Sequence, residues 1–95
     1  MSIAAVTVNT SATVIVAENF HRIGLWIDNR GPEIVYWGDG SGVTTSNGIV
    51  LLPMERVVMD FEGGKNFAFF FRGAIYGIVA SGSSDVRVLE LVETR

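Results

Sequence analysis

The chain has 95 residues, of which 48% are apolar and 18% charged, with no cysteine and a formal net charge of −3. This length makes one domain, residues 1–95, with a thin core, because so small a chain buries only about 60–65% of its unfolded surface. The missing cysteines exclude a disulfide framework and a thiolate metal site. Seven basic residues scattered singly argue against a nucleic-acid partner, which a clustered basic patch would mark. Charge this far below the roughly 25% of an average soluble chain leaves apolar surface to be covered by partners.

The N-terminal run MSIAAVTVNTSATVIVA lacks a basic leader and is broken by Asn9, Thr10 and Ser11, so export by a standard signal is not expected. The apolar runs IVLLPM and FAFFF fall well short of the ~18 residues of a spanning helix, and no membrane partner is expected. Runs of β-branched and aromatic residues, punctuated by Gly, Asn, Asp, Ser and Pro, predict strands throughout. The first two span 4–9 and 12–17. After a loop at ENFHR, RIGLWID alternates, with Ile23, Leu25 and Ile27 on one face and Arg22, Gly24, Trp26 and Asp28 on the other. NRGP turns the chain into EIVYWG, which is apolar on both faces. A long Gly/Ser/Thr loop follows, with Val43 and Thr44 as a possible bridge, and then IVLLP.

In ERVVMDFE, Val57, Met59 and Phe61 oppose Arg56, Asp60 and Glu62, and only Val58 breaks the pattern. EGGKN is a hairpin turn into FAFFF, with Phe67, Phe69 and Phe71 on one face and Phe70 behind. AIYGIVA, a turn at SGSS and DVRVLELVE complete the chain. About eight short strands predict an all-β fold, a single antiparallel β-sandwich or jelly-roll-like domain. The last strand raises a question, because Leu89 and Leu91 face away from Val86 and Val88 and need a cover of their own.

Residues that could carry chemistry are few. His21 is the only histidine and would have to serve alone as a base, and one His without Cys cannot build a zinc site. GDGSG at 38–42 lacks the GK[ST] of a phosphate loop and the spaced carboxylates of a calcium loop. Asp60, Glu62, Asp39 and Glu33 are acids on polar faces or in loops. The NTS sequon at Asn9 carries no weight without export. No catalytic residue, cofactor or metal is expected. Trp26, Tyr36 and Trp37 remain, as core, subunit contact or a stacking platform for sugars.

At SGVTTSNGIVLLPMERVVMDF and IYGIVASGSSDVRVLELVE the chain resembles small virion structural proteins of tailed bacteriophages. The correspondence runs through His21-Arg22, Leu25, Ile27, Asn29, Tyr36-Trp37-Gly38, Ser41 to Thr45, Gly48-Ile49, Leu52-Pro53, Glu55, Tyr76, Ile78, Ala80-Ser81-Gly82 and Asp85 to Glu90. Met54 stands where that pattern carries Gly after the Pro, and FEGGKNFAFFFRG is longer and more aromatic than usual. The resemblance implies a β-sandwich that binds other virion proteins.

The expected function is therefore non-enzymatic: a capsid decoration or cement protein that stabilises the head by binding major capsid protein subunits. A neck, collar or tail/fibre component of the same fold is the alternative, and a carbohydrate-binding module is the reading from another class. The expected partners are further copies of the chain, in a closed ring such as a trimer, and other virion proteins. The expected place is the virion, assembled in the host cytoplasm. The interface candidates are Leu89, Leu91, Phe67, Phe69, Phe70, Trp26 and Trp37.

Overall fold

The computed structural model describes residues 2–60 and 73–92. Eight strands lie there: β1 (Ser2–Val8), β2 (Thr13–Val16), β3 (Arg22–Asn29), β4 (Val35–Gly38), β5 (Ile49–Leu51), β6 (Arg56–Asp60), β7 (Ile75–Ile78) and β8 (Ser84–Val92). The described residues contain no helix, and thus none long and apolar enough to cross a membrane. The strands form two antiparallel four-stranded sheets, ordered β1-β8-β3-β6 and β2-β7-β4-β5, called sheet A and sheet B below. Strand 1 pairs with 8, 2 with 7, 3 with 6 and 4 with 5. That is one long hairpin wound into two layers, the jelly-roll arrangement of the β-sandwich.

Alternation decides which side chains meet between the layers. Val8, Leu25, Ile27, Val86 and Val88 from sheet A pack against Ile15, Val16, Val35, Leu51, Ile75 and Val79 from sheet B and its continuation. Gly77 faces this core. A Cβ there would lie 2.6 Å from Ile15 Cδ1, so the missing side chain makes room for isoleucine. The predicted strand FAFFF lies outside the described residues. Val43 and Thr44 form no bridge but link the turn at 41–42 to the turn at 45–47. The Thr44 hydroxyl accepts from the N–H groups of Ser46 and Asn47, and Asn47 Oδ1 accepts from the Thr44 N–H at 2.7 Å. Gly48 then passes so close to β4 that a Cβ would lie 2.7 Å from Tyr36 Cβ.

One sequence expectation is corrected. Arg22 does not share the face of Trp26. The register of β3 against β8 shifts between Arg22 and Gly24, so a β-bulge at Ile23 turns Arg22 inward. It is fully buried. Its Nε donates to Glu90 Oε2 at 2.8 Å, its Nη2 to the Ala17 carbonyl at 2.7 Å and its Nη1 to the Gly73 carbonyl at 3.1 Å. A guanidinium brought out of water needs this density of partners.

The other end of β3 is anchored in the same manner. Buried Asn29 donates from Nδ2 to the carbonyls of Glu33 and Leu51, and its Oδ1 accepts from Ser84 Oγ at 2.7 Å and from the Gly31 N–H. The strand is thus pinned at both ends by polar plugs that reach from sheet A to other parts of the chain. Beside Asn29, Pro53 and Met54 make the link from β5 to β6. The Glu55 N–H donates to the Leu52 carbonyl at 2.9 Å, and Met54 has φ +68°. Proline at the second position and positive φ at the third are the signature of a type II turn, whose third position favours glycine.

Candidate interaction surface

With one face of sheet A committed to the core, alternation fixes what the other face presents. The register aligns Ile3 with Leu89, Leu89 with Trp26 and Trp26 with Val58. Four apolar side chains therefore form a continuous row across all four strands. Ile3 is 74% exposed, Val58 52% and Trp26 41%, and Leu89 is half-buried between its neighbours. Val58, out of step as a sequence position, is in step as the end of this row. Leu91 sits one row away, and its Cδ1 would lie 3.1 Å from a Cβ at Gly24. Glycine there gives Leu91 a partial seat within its own chain.

The neighbouring row on the other side is charged: Arg87 beside Asp28, and Asp28 beside Arg56. Arg87 binds Asp85 two residues away, with Nη2 to Oδ2 at 2.9 Å, and this guanidinium holds the Asp85 carboxyl below its ordinary value. Asp28 is approached by Arg56 at 3.6 Å and by Arg30 at 3.7 Å. The Arg56 guanidinium also lies over the Trp26 ring, 5.3 Å from its centre, a cation–π contact. Between the two rows is a depression of about 190 Å³ with Ile3, Trp26 and Leu89 on its apolar side and Arg56, Asp28 and Arg87 on its charged side. Tryptophan and arginine, closely packed with an apolar ring around them, are the residue types that dominate binding energy at protein interfaces.

The sequence candidates thus fall in different places. Trp26, Leu89 and Leu91 share the outer face of sheet A. Trp37 packs half-buried against the core, and its buried Nε1 has no hydrogen-bond partner among the described residues. Tyr36 stands in register with Val50 and Ile78 on the outer face of sheet B. The three aromatic residues weighed as a sugar platform are therefore not brought together. Phe67, Phe69 and Phe70 lie outside the described residues. His21 is exposed in the turn before β3, where its N–H donates to Asn19 Oδ1. The glycine-rich loop encloses a depression of about 270 Å³ lined by Gly38, Asp39, Gly40, Gly42, Val43 and Asn47. Among the described residues no group of three or more His, Cys, Asp or Glu could hold a metal ion.

Asp28 was legible beside Trp26 on one face of its strand, but Ile3, Arg30, Arg56, Val58 and Arg87 were not legible as parts of the same surface. Each is ordinary on its own strand, and only the register aligns them. No family model matches the chain, and comparison with curated proteins and with solved structures finds no match.

Proposed function

We propose that the chain is a non-enzymatic virion structural protein of a tailed bacteriophage. In this reading it is a capsid decoration or cement subunit that self-associates and stabilises the head by binding major capsid protein subunits. A neck, collar or tail/fibre position would use the same kind of contact. The observation that carries the reading is the row Ile3–Leu89–Trp26–Val58, an apolar band that spans sheet A and is left open to water by a domain with few charges. Such bands mark protein contacts more often than they mark plain surface. The jelly-roll order adds support, since viral capsid domains use it, though lectins use it as well and fold alone assigns no function.

One observation favours carbohydrate binding: Trp26 is exposed beside charged side chains. Against it, Arg56 already lies on the ring that a sugar would stack upon, and no second aromatic of the described residues stands beside it on that face. Mass spectrometry of density-purified tailed particles tests the main reading. The chain is expected in the particles at a fixed ratio to the capsid protein. Its presence in the lysate but not in the particles would overturn the proposal, and retention on immobilised glycans that is lost in Trp26→Ala would establish the second reading.

A further inference from the structure

The outer face of sheet A is its own complement. Its two central strands, β8 and β3, present in matching rows Leu91 beside Gly24, Leu89 beside Trp26, and Arg87 beside Asp28. One step further the Arg30 N–H donates to the Asp85 carbonyl, which sets Asp85 beside Arg30. Along β8 the outward column reads apolar, apolar, positive, negative. Along β3 it reads small, apolar, negative, positive. The charges are opposite at each level.

A two-fold axis in the plane of contact, running along the strands between β8 and β3, lays each column on the other in a second copy. Leu89 then meets Trp26, Arg87 meets Asp28 and Asp85 meets Arg30, each contact made twice, and no like charges meet in these columns. At the margins Ile3 meets Val58 and Ala5 meets Arg56. An axis along the rows does worse: through the Leu89–Trp26 row it places Arg87 and Asp28 over Leu91 and Gly24 and pairs no charge, and between the Arg87 and Asp85 rows it pairs the charges but carries the Leu89–Trp26 row past Ser84, where β8 begins. We infer that this face is an isologous dimer interface, occupied by a second copy of the same chain about that two-fold axis.

The packing that results is the ordinary aligned packing of two sheets. Sheets packed face to face cross at about 30°, so the match is best at the crossing point and falls off along the columns, which sets the Arg87–Asp28 row at the centre of the contact. The ion pairs already present within one chain, Arg87 with Asp85 and Asp28 with Arg30 and Arg56, are all at least partly exposed. Exposed pairs contribute little, so they can re-pair across the axis at small cost. Four strands ~4.8 Å apart, the longest about 30 Å, offer roughly 600 Å² per copy, below the ~800 Å² of a standard stable interface. The dimer is therefore reversible, and salt weakens it. A two-fold contact also replaces the three-fold ring expected from the sequence, because a ring needs two unlike patches and this pattern answers itself.

The inference rests on reading this face as an assembly surface. It is tested by sedimentation equilibrium on three proteins: wild type, Arg87→Asp and Asp28→Arg. Wild type is expected to be a reversible dimer. Each variant puts like charges together at both contacts and is expected to associate about a hundredfold more weakly or worse. The first variant presents carboxylates at both positions and the second guanidiniums at both, so an equal mixture of the two is expected to recover dimers. The pair Asp85→Arg and Arg30→Asp repeats the test one row away should Asp28→Arg not fold by circular dichroism. Recovery in the mixture establishes the register. Variants that dimerise like wild type, a mixture that stays monomeric, or a wild-type trimer would each overturn it. A chain found in particles but monomeric in solution would remove the dimer alone, whereas a dimer absent from particles would remove the virion reading alone.

Discussion

Strand β8 takes part in an acidic–basic pair on each face of sheet A, and the two pairs stand in contrasting surroundings. Inward, Glu90 meets an Arg22 that is wholly buried and bonded to two backbone carbonyls as well. Outward, Asp85 and Arg87 meet in water, each about half exposed. The inner pair is fixed by everything around it and is structural. The outer pair is loosely held and can change partners. The same contrast runs down β3, where Leu25 is fully buried and its neighbour Trp26 stands open beside Arg56. One face of the sheet holds the fold together, and the other is open to water.

The largest effect is expected from breaking the inner pair. Glu90→Ala removes the carboxylate that accepts from the buried Arg22 Nε at 2.8 Å and should cost about 3–5 kcal/mol of stability, read from urea unfolding. A loss no greater than that of an exposed substitution would put both pairs in one class. Next, the neighbours on β3 should separate. Leu25→Ala opens a cavity between the sheets and should cost about 2–5 kcal/mol. Trp26→Ala should stay within about 1 kcal/mol of wild type in the monomer, and lose self-association instead.

A smaller gain is expected at a position on neither face. Met54 holds φ +68° in the turn between the two sheets, a conformation that costs a non-glycine residue about 1–2 kcal/mol. Met54→Gly should therefore stabilise the protein by about 1 kcal/mol, after the greater entropy loss of glycine is allowed for. An unchanged or lower melting temperature would contradict the turn assignment.

The smallest effect concerns acid. Arg87 lowers the Asp85 carboxyl below its ordinary value of 3.8. Because the folded-state value is the lower one, the pair stabilises the protein fully above pH 3.8 and less as pH falls through the folded value. Asp85→Asn should differ slightly from wild type in melting temperature at neutral pH, and the difference should vanish in acid. A difference that grows in acid would reverse the sign.

Much of the fold was legible because alternation is a local property. Leu25, Ile27, Val57, Val86 and Val88 could be assigned to the core from their own strands. The strand count and the sandwich followed from spacing. Arg22 was misplaced because a bulge leaves no mark in a two-residue period, and the residues around Ile23 read as plain alternation. The outer face was only half legible. Leu89, Leu91 and Trp26 stood out as apolar residues without cover, but Ile3, Val58 and the charged columns gain meaning only through pairings between strands distant in sequence.

The motif that carried the family resemblance has a plain physical content as well. Arg22, Leu25, Ile27, Asn29, Val86, Val88 and Glu90 are anchors of the sandwich, and Gly82 holds a turn at φ +69°. These positions encode the fold. The surface that would meet a partner takes Asp85, Arg87 and Leu89 from the same motif, and Ile3, Trp26 and Asp28 from outside it.

The most direct test of an open assembly face on sheet A is the mass of the purified chain by light scattering over a dilution series, beside the Leu89→Asp variant. A mass that falls from dimer to monomer on dilution is expected for wild type, and a folded monomer throughout for the variant. A wild-type chain that remains monomeric at every concentration, or a variant that associates as well as wild type, would contradict it.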